Sequence, residues 1–521
     1  SEPRWKELIS VLISERIRRK GILGRKGTNR SSTFPISTMS IRRKRQEERK
    51  VSILEENRIQ VGAYCSPQPP CERDGVKYPS KITSEHYRAL AELGVTVVYG
   101  HAEIIGRDSE KWVYEALQMC AEAGVKYFVR DGIAEEYVSL GFREYPAWKS
   151  LAAAEKAELD KRFEKSIKKY KDYPAFAGIS FYDEPGSDSF EGIAAAKAVF
   201  QRICPDKVFY VNMLPHHISA EQLQYGACQT GVPAATDKML AVERGNDKRY
   251  VYFTEKFIKT VKPQVYSYDS YPFLTLGNVE SMIHTALYEL PQICSYNERT
   301  YGVPYWMFLQ VGGKWEGSAN RVTDEAEMRL QIGIAMAYGA KGLQLFPCCF
   351  PNDWLGDDVV EAGVFDRFGK ITEQYEYLKR ALKQVHACGG YLAKAEQKGR
   401  FFVGEYSGLL PPEEELKKIQ WNETIYRGGF PELGRLDAER ESCPTAEVTS
   451  QFILSRFESE AGKEMYLAVN NSIVTAANIR LCFGEDKKFT VVYRGESKRR
   501  EGENLYFQRV LPGDNLLIVI E

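Results

Sequence analysis

Between residues 59 and 392 the chain alternates eight short apolar runs with amphipathic stretches, and few architectures accept that rhythm. The runs are Ile59–Cys65, Thr96–Gly100, Tyr127–Arg130, Ala177–Tyr182, Val208–Met213, Gln264–Tyr268, Tyr305–Gln310 and Gly342–Phe346. Helical spacing of apolar residues marks Ser84–Leu93, Ser109–Ala123, Ala152–Tyr170, Glu191–Ile203, Tyr250–Val261, Val279–Leu290 and Asp324–Tyr338. Gly94, Gly124 and Gly339 stand where such helices need a residue able to cap them. Strands apolar on both faces and alternating with helices specify a parallel sheet, and eight units is the number that closes a (β/α)8 TIM barrel. An open doubly wound sheet would bring a glycine-rich phosphate loop after an early strand, whereas Gly62 stands alone in the first run.

Past a helical pattern at Thr372–Cys388 the period changes. Residues 400–406, 450–457, 464–470, 477–483, 488–493, 504–510 and 515–520 read as short strands joined by Gly, Asn, Asp and Pro turns. The expected organisation is a basic, poorly ordered leader at 1–58, a catalytic barrel at 59–392 and a small antiparallel β-sandwich at 393–521.

Charge limits the partners. Residues 1–50 hold fifteen Lys and Arg against five Glu, a balance of +10 in a chain whose total is zero, so the remainder carries −10. An acidic body argues against nucleic acid, and no run reaches the roughly 18 uncharged apolar residues of a membrane span. The basic leader lacks the apolar core of a secretory signal. Eleven cysteines are scattered without CxxC or zinc-type spacing, as expected of buried thiols in a reducing compartment, so the expected location is cytoplasmic. His216 and His217 are adjacent and point apart, no strand carries an HxH pair or a lysine, and the expectation is no metal and no cofactor.

In such a barrel the functional groups gather where the strands end. Those ends supply Tyr64, then Tyr99 with His101 and Glu103, then Arg130 and Asp131. They continue with Tyr182, Asp183 and Glu184, with Asn212, with Tyr268, Asp269 and Tyr271, with Trp306, Gln310 and Trp315, and with Trp354 after strand 8. Carboxylates ringed by aromatic residues suit sugar hydrolysis, where rings stack on pyranose faces and two carboxyl groups divide the acid and nucleophile or base roles. Glu184, held by Pro185 beside a like-charged Asp183, is the candidate acid, with Asp269 or Asp183 as its partner. Asp131 and Glu103 read instead as a helix cap or ion-pair residue. Tyr64, Tyr99 and Trp306 are equally readable as barrel packing, and Trp315 and Trp354, in polar loops, as sugar platforms. The long segment 214–249 is a candidate lid or subunit contact, which leaves homo-oligomer formation open.

FYDEP at 181–185, YSYDSYPF at 266–273, YWMFLQ at 305–310 and RVTDEAEMRLQIGIAMAYGAKGLQLF at 321–346 resemble the barrels of bacterial glycoside hydrolases of clan A and family 42. The resemblance implies a carbohydrate substrate and an accessory β domain. Two positions depart from it. Asp183 stands where clan A has an asparagine before its acid, and Gln310 stands where clan A has a glutamate nucleophile. The Asp183–Glu184 pair is similar to that of families 20 and 123, in which the glutamate protonates the leaving oxygen and the aspartate orients the substrate's own 2-acetamido group for attack. That version implies a strand 6 tyrosine, Tyr268 or Tyr271, on the acetamide oxygen. A barrel that binds sugar without cleaving it is the remaining alternative.

Overall fold

The computed structural model describes residues 52–138, 148–227, 234–241, 246–275, 282–283, 285–313, 319–352, 359–404 and 445–521. Eight parallel strands close into a barrel: β1 (Gln60–Ala63), β2 (Val97–Tyr99), β3 (Lys126–Val129), β4 (Phe176–Asp183), β5 (Val208–Met213), β6 (Tyr266–Tyr268), β7 (Tyr305–Gln310) and β8 (Gly342–Phe346). Each strand pairs with its neighbour in sequence, and β8 returns to β1. Eight helices surround them: α1 (Ser84–Leu93), α2 (Glu110–Ala123), α3 (Ala153–Ile167), α4 (Phe190–Ile203), α5 (Asn246–Val261), α6 (Leu290–Tyr301), α7 (Glu325–Ala337) and α8 (Glu373–Leu392).

Local chemistry accounts for their ends. Thr83 and Asp324 accept from backbone N–H groups in the first turns of α1 and α7, and Gly94 and Gly124 close α1 and α2 in the left-handed conformation. One helix departs from expectation. In place of the helix expected at Val279–Leu290, a π-helical turn at Thr285–Glu289 leads into α6, with Pro291 in its first turn.

Two apolar clusters fill the barrel. Residues facing away from the axis, among them Ile179, Phe181, Phe209, Tyr266 and Tyr268, pack against the helices. Inside the barrel, Val97, Tyr99, Phe128, Val208, Tyr210 and Trp306 form a second cluster that Ile53 joins from a short turn before β1. The described structure includes this turn, within the stretch expected to be leader; residues 1–51 lie outside the described residues. A Cβ on Gly342 would meet the Trp306 ring at 2.5 Å, so the glycine makes room for the indole.

The C-terminal strands form one seven-stranded antiparallel sheet: β9 (Glu396–Val403), β10 (Thr445–Val448), β11 (Phe452–Glu458), β12 (Glu464–Asn470), β13 (Ala477–Tyr493), β14 (Glu496–Val510) and β15 (Asn515–Ile520). The two expected strands 477–483 and 488–493 are a single strand, β13, whose ladder is interrupted between Cys482 and Lys487. Its first half pairs with β10 and its second with β15, so Ile479 and Leu481 share a core with Phe489 and Val491, in the manner of a sandwich. The other face, including Leu467, Val469 and Leu517, joins the cluster that contains Leu330 and Ile334 of α7.

Candidate active site

Glu184 owes its position to strained backbone. Its φ is +51°, a left-handed conformation that non-glycine residues seldom adopt. Neighbouring chain holds it there. The Glu184 N–H donates to the Asn212 carbonyl at 2.9 Å, and the Glu184 carbonyl accepts from Ala227 N–H at 3.3 Å. Gly186 lies so close to the end of the short helix Ala220–Tyr225 that a Cβ would meet the Gln224 oxygen and the Gly226 nitrogen at 2.4 Å. The segment considered as a lid thus buttresses this turn. A shift in the β4–β5 register between Ser180 and Tyr182 adds to the bend, as bulges beside functional sites do. In a regular strand Asp183 and Glu184 would face opposite ways. Here both carboxyl groups reach the mouth of the barrel.

Three carboxyl groups meet there. Asn212 Nδ2 donates to Asp183 Oδ1 at 3.0 Å and to Asp269 Oδ1 at 3.1 Å, so those oxygens are no farther apart than the two bonds laid end to end. Glu184 hydrogen-bonds Asp269 directly, and such a contact between carboxyl groups requires one shared proton. Burial, and next the negative charge of Asp183, push Asp269 up to about 7, against the hydrogen bonds from Asn212 and Glu184. Solvent reaches Asp183, yet the protein crowded around it raises its pKa, opposed by hydrogen bonds from Asn212 and Tyr64 and by the charge of Arg130. The site can hold a proton near neutral pH.

Aromatic rings wall the cup. Tyr64 lies 5.0 Å from Phe308 and 6.2 Å from Phe346, and Tyr271 stacks on Phe346 at 4.9 Å. Burial first, and then the charge of all three carboxylates, raise the pKa of the Tyr271 hydroxyl. Arg130 sits behind Asp183, bound to Glu135 at 2.6 Å and to the His101 carbonyl at 2.8 Å. His101 is half-buried, and Tyr182, also half-buried, packs at the edge of the large apolar cluster.

Three expected contacts lie elsewhere. Tyr268 is fully buried among Cys294, Tyr305 and Tyr338, because strand alternation sends it outward when Ser267 and Asp269 face the axis. Trp306 is interior packing, parallel to Phe128 at 6.3 Å. Gln310 is buried, with its amide spent on backbone: Oε1 accepts from Phe273 N–H, and Nε2 donates to the carbonyls of Phe273 and Arg321, each at 2.8 Å. Trp315 and Trp354 lie outside the described residues. Asp131 caps the turn after β3 through the Ile133 N–H and accepts from Ser166 and Tyr170. Glu103 neither caps a helix nor pairs with a cation; it is buried and accepts from Ser66 at 2.8 Å and Tyr127 at 2.6 Å.

Sequence reasoning passed over Phe308, which carries no polar atom, and Ser267 and Tyr210, which lie below the strand ends. Parity was the available signal for the last two, since Tyr210 shares the inward face of Asn212 and Ser267 that of Asp269.

No family model matches the sequence, and none of the curated proteins does. Solved structures do resemble it. A GH42 beta-galactosidase from G. stearothermophilus aligns at 8% identity over 90% of this chain and 98% of that one, with a TM-score of 0.48. A family 5 glycoside hydrolase from Bacteroides vulgatus gives 9% identity, 89% and 88% coverage and a TM-score of 0.46. A beta-galactosidase from the psychrophilic Marinomonas ef1 gives 14% identity and a TM-score of 0.39, with 64% of this chain spanning 60% of that protein. These neighbours are glycoside hydrolases. At such scores the likeness carries no argument about chemistry: the barrel rests on its own strand register, and the site on its own side chains.

Proposed function

We propose that this protein is a glycoside hydrolase that cleaves an O-glycosidic bond, with Glu184 as the acid that protonates the leaving oxygen. The observation that carries the reading is the left-handed turn at Glu184, which brings its carboxyl group into contact with Asp269 and beside Asp183 within an aromatic-walled cup. Strain retained at the mouth of a barrel suits a group that must be aimed. Asp269, titrating near neutrality, is the partner carboxylate. Tyr64, Tyr271 and Phe346 offer faces for a sugar ring, with Arg130, Asn212, His101 and Tyr182 around them. Nine described cysteines are free thiols, which supports a reducing, cytoplasmic setting.

A substrate-assisted reaction on a 2-acetamido sugar is the second reading, and two observations favour it. A hydrogen bond from Glu184 acts on Asp269, the carboxylate a retaining mechanism would use as its nucleophile. Asp183 is held in the cup by Asn212, where it can accept an amide N–H. Tyr271, beside the carboxylates, takes the role the family resemblance gave to a strand 6 tyrosine. A screen of aryl glycosides that includes N-acetylhexosaminides tests both readings. Release from N-acetylhexosaminides alone selects the second, and release from simple hexosides selects the first. Binding without release supports a non-catalytic barrel.

A further inference from the structure

Beneath the carboxylates the barrel axis carries a column of buried polar side chains. Ser267 Oγ donates to Asn212 Oδ1 at 3.4 Å and lies 2.7 Å from the Tyr210 hydroxyl; all three residues are buried. Serine has one proton, and when it goes to Asn212, Tyr210 supplies the proton of the shorter bond. The Tyr99 ring packs against that of Tyr210, with centroids 4.7 Å apart. Every donor in the series points toward the carboxylates. The opposite amide orientation would set Asn212 Oδ1 against two carboxylate oxygens and leave Ser267 facing an N–H.

We infer that Tyr210 and Ser267 are positioning residues that fix the Asn212 amide with Nδ2 toward Asp183 and Asp269, so that one side chain serves both carboxylates at once. The reading of the site as catalytic gives this its significance, but the geometry stands apart from it. Aligned hydrogen bonds in a low-dielectric interior polarise one another and favour the charged form of the group at their end. Asp269 is faced by Asp183 and Glu184 from β4 and its turn, by Asn212 and Tyr210 from β5, and by Tyr271 from its own loop. Asp183 is faced by Tyr64 from β1 and Arg130 from β3. The column is the element of this set that carries no charge of its own and acts only through Asn212.

The test is a carboxyl ¹³C titration of the full chain labelled at aspartate, with Asp269→Asn to assign the resonance. Ser267→Ala raises the Asp269 midpoint by about half to one pH unit. Tyr210→Phe, one bond farther away and isosteric, raises it by less. Ser267→Thr, which keeps the hydroxyl, restores the original midpoint, and the acid limb of any kcat/KM profile moves with the titration. Unchanged midpoints in folded Ser267→Ala and Tyr210→Phe overturn the inference, as does a shift that Ser267→Thr fails to reverse. The titration uses no substrate, so lack of glycosidase activity counts against the proposed function alone.

Discussion

Gln310 and Phe273 exchange two hydrogen bonds of 2.8 Å, one from the Phe273 N–H to Oε1 and one from Nε2 back to the Phe273 carbonyl. The second Nε2 proton goes to the Arg321 carbonyl, and Gln331 secures the Gln310 backbone at 2.8 Å. The strand 7 position that clan A gives to a nucleophile here fastens the loop that leaves β6 through Asp269 and Tyr271. A glutamate cannot donate to two carbonyls. Gln310→Glu is therefore expected to create no nucleophile and to destabilise the fold by about 1–3 kcal/mol through unpaired buried groups. Urea denaturation measures the loss, and a stable variant with raised activity would count against the latch.

Gly186 gives the second prediction. Gly186→Ala forces a methyl group onto the backbone at Gln224 and Gly226, and relief requires the Glu184 turn to move. Stability is expected to fall by about 1–3 kcal/mol, with activity lost beyond what the unfolded fraction explains. Thermal denaturation paired with kcat separates the two effects.

The pH dependence of stability follows from Asp269. The folded state holds its proton more tightly than the unfolded chain, whose aspartate titrates at the ordinary 3.8, while the folded group titrates at about 7. Its contribution is therefore complete below pH 3.8 and is lost as pH rises toward and through 7. Asp131, pushed up to about 6 by burial, works in the same direction. Asp269→Asn is expected to flatten the fall in stability between pH 4 and 7, as read from denaturation midpoints across that range. An unchanged slope would contradict the assignment.

Trp306 separates packing from substrate contact. It is fully buried with Phe128 and Tyr210 in the barrel interior. Trp306→Phe is expected to lower stability by about 1–3 kcal/mol and to leave KM unchanged, whereas Tyr271→Ala is expected to raise KM.

The barrel was legible because its signal is periodic. The runs at 208–213, 305–310 and 342–346 coincide with β5, β7 and β8 end to end. The turn at Glu184 was legible for a related reason: Pro185 and Gly186 announce it beside a carboxylate at a strand end. Tyr268 and Asp269 illustrate a signal left unused, since neighbours in a strand cannot both face the axis. The role of Gln310 was beyond reach, because its partners Phe273 and Arg321 are brought to it only by folding. The same holds for the strain at Glu184, which depends on Ala227 and the end of a helix some forty residues away.

The most direct test of the central claim compares Glu184→Gln with the unmutated protein on the glycoside it cleaves, using one poor and one activated aryl leaving group. Loss of the acid should cost about 10²- to 10⁴-fold on the poor leaving group and far less on the activated one, with the fold intact by circular dichroism. Retention of most activity on both substrates would contradict the assignment of Glu184 as the proton donor.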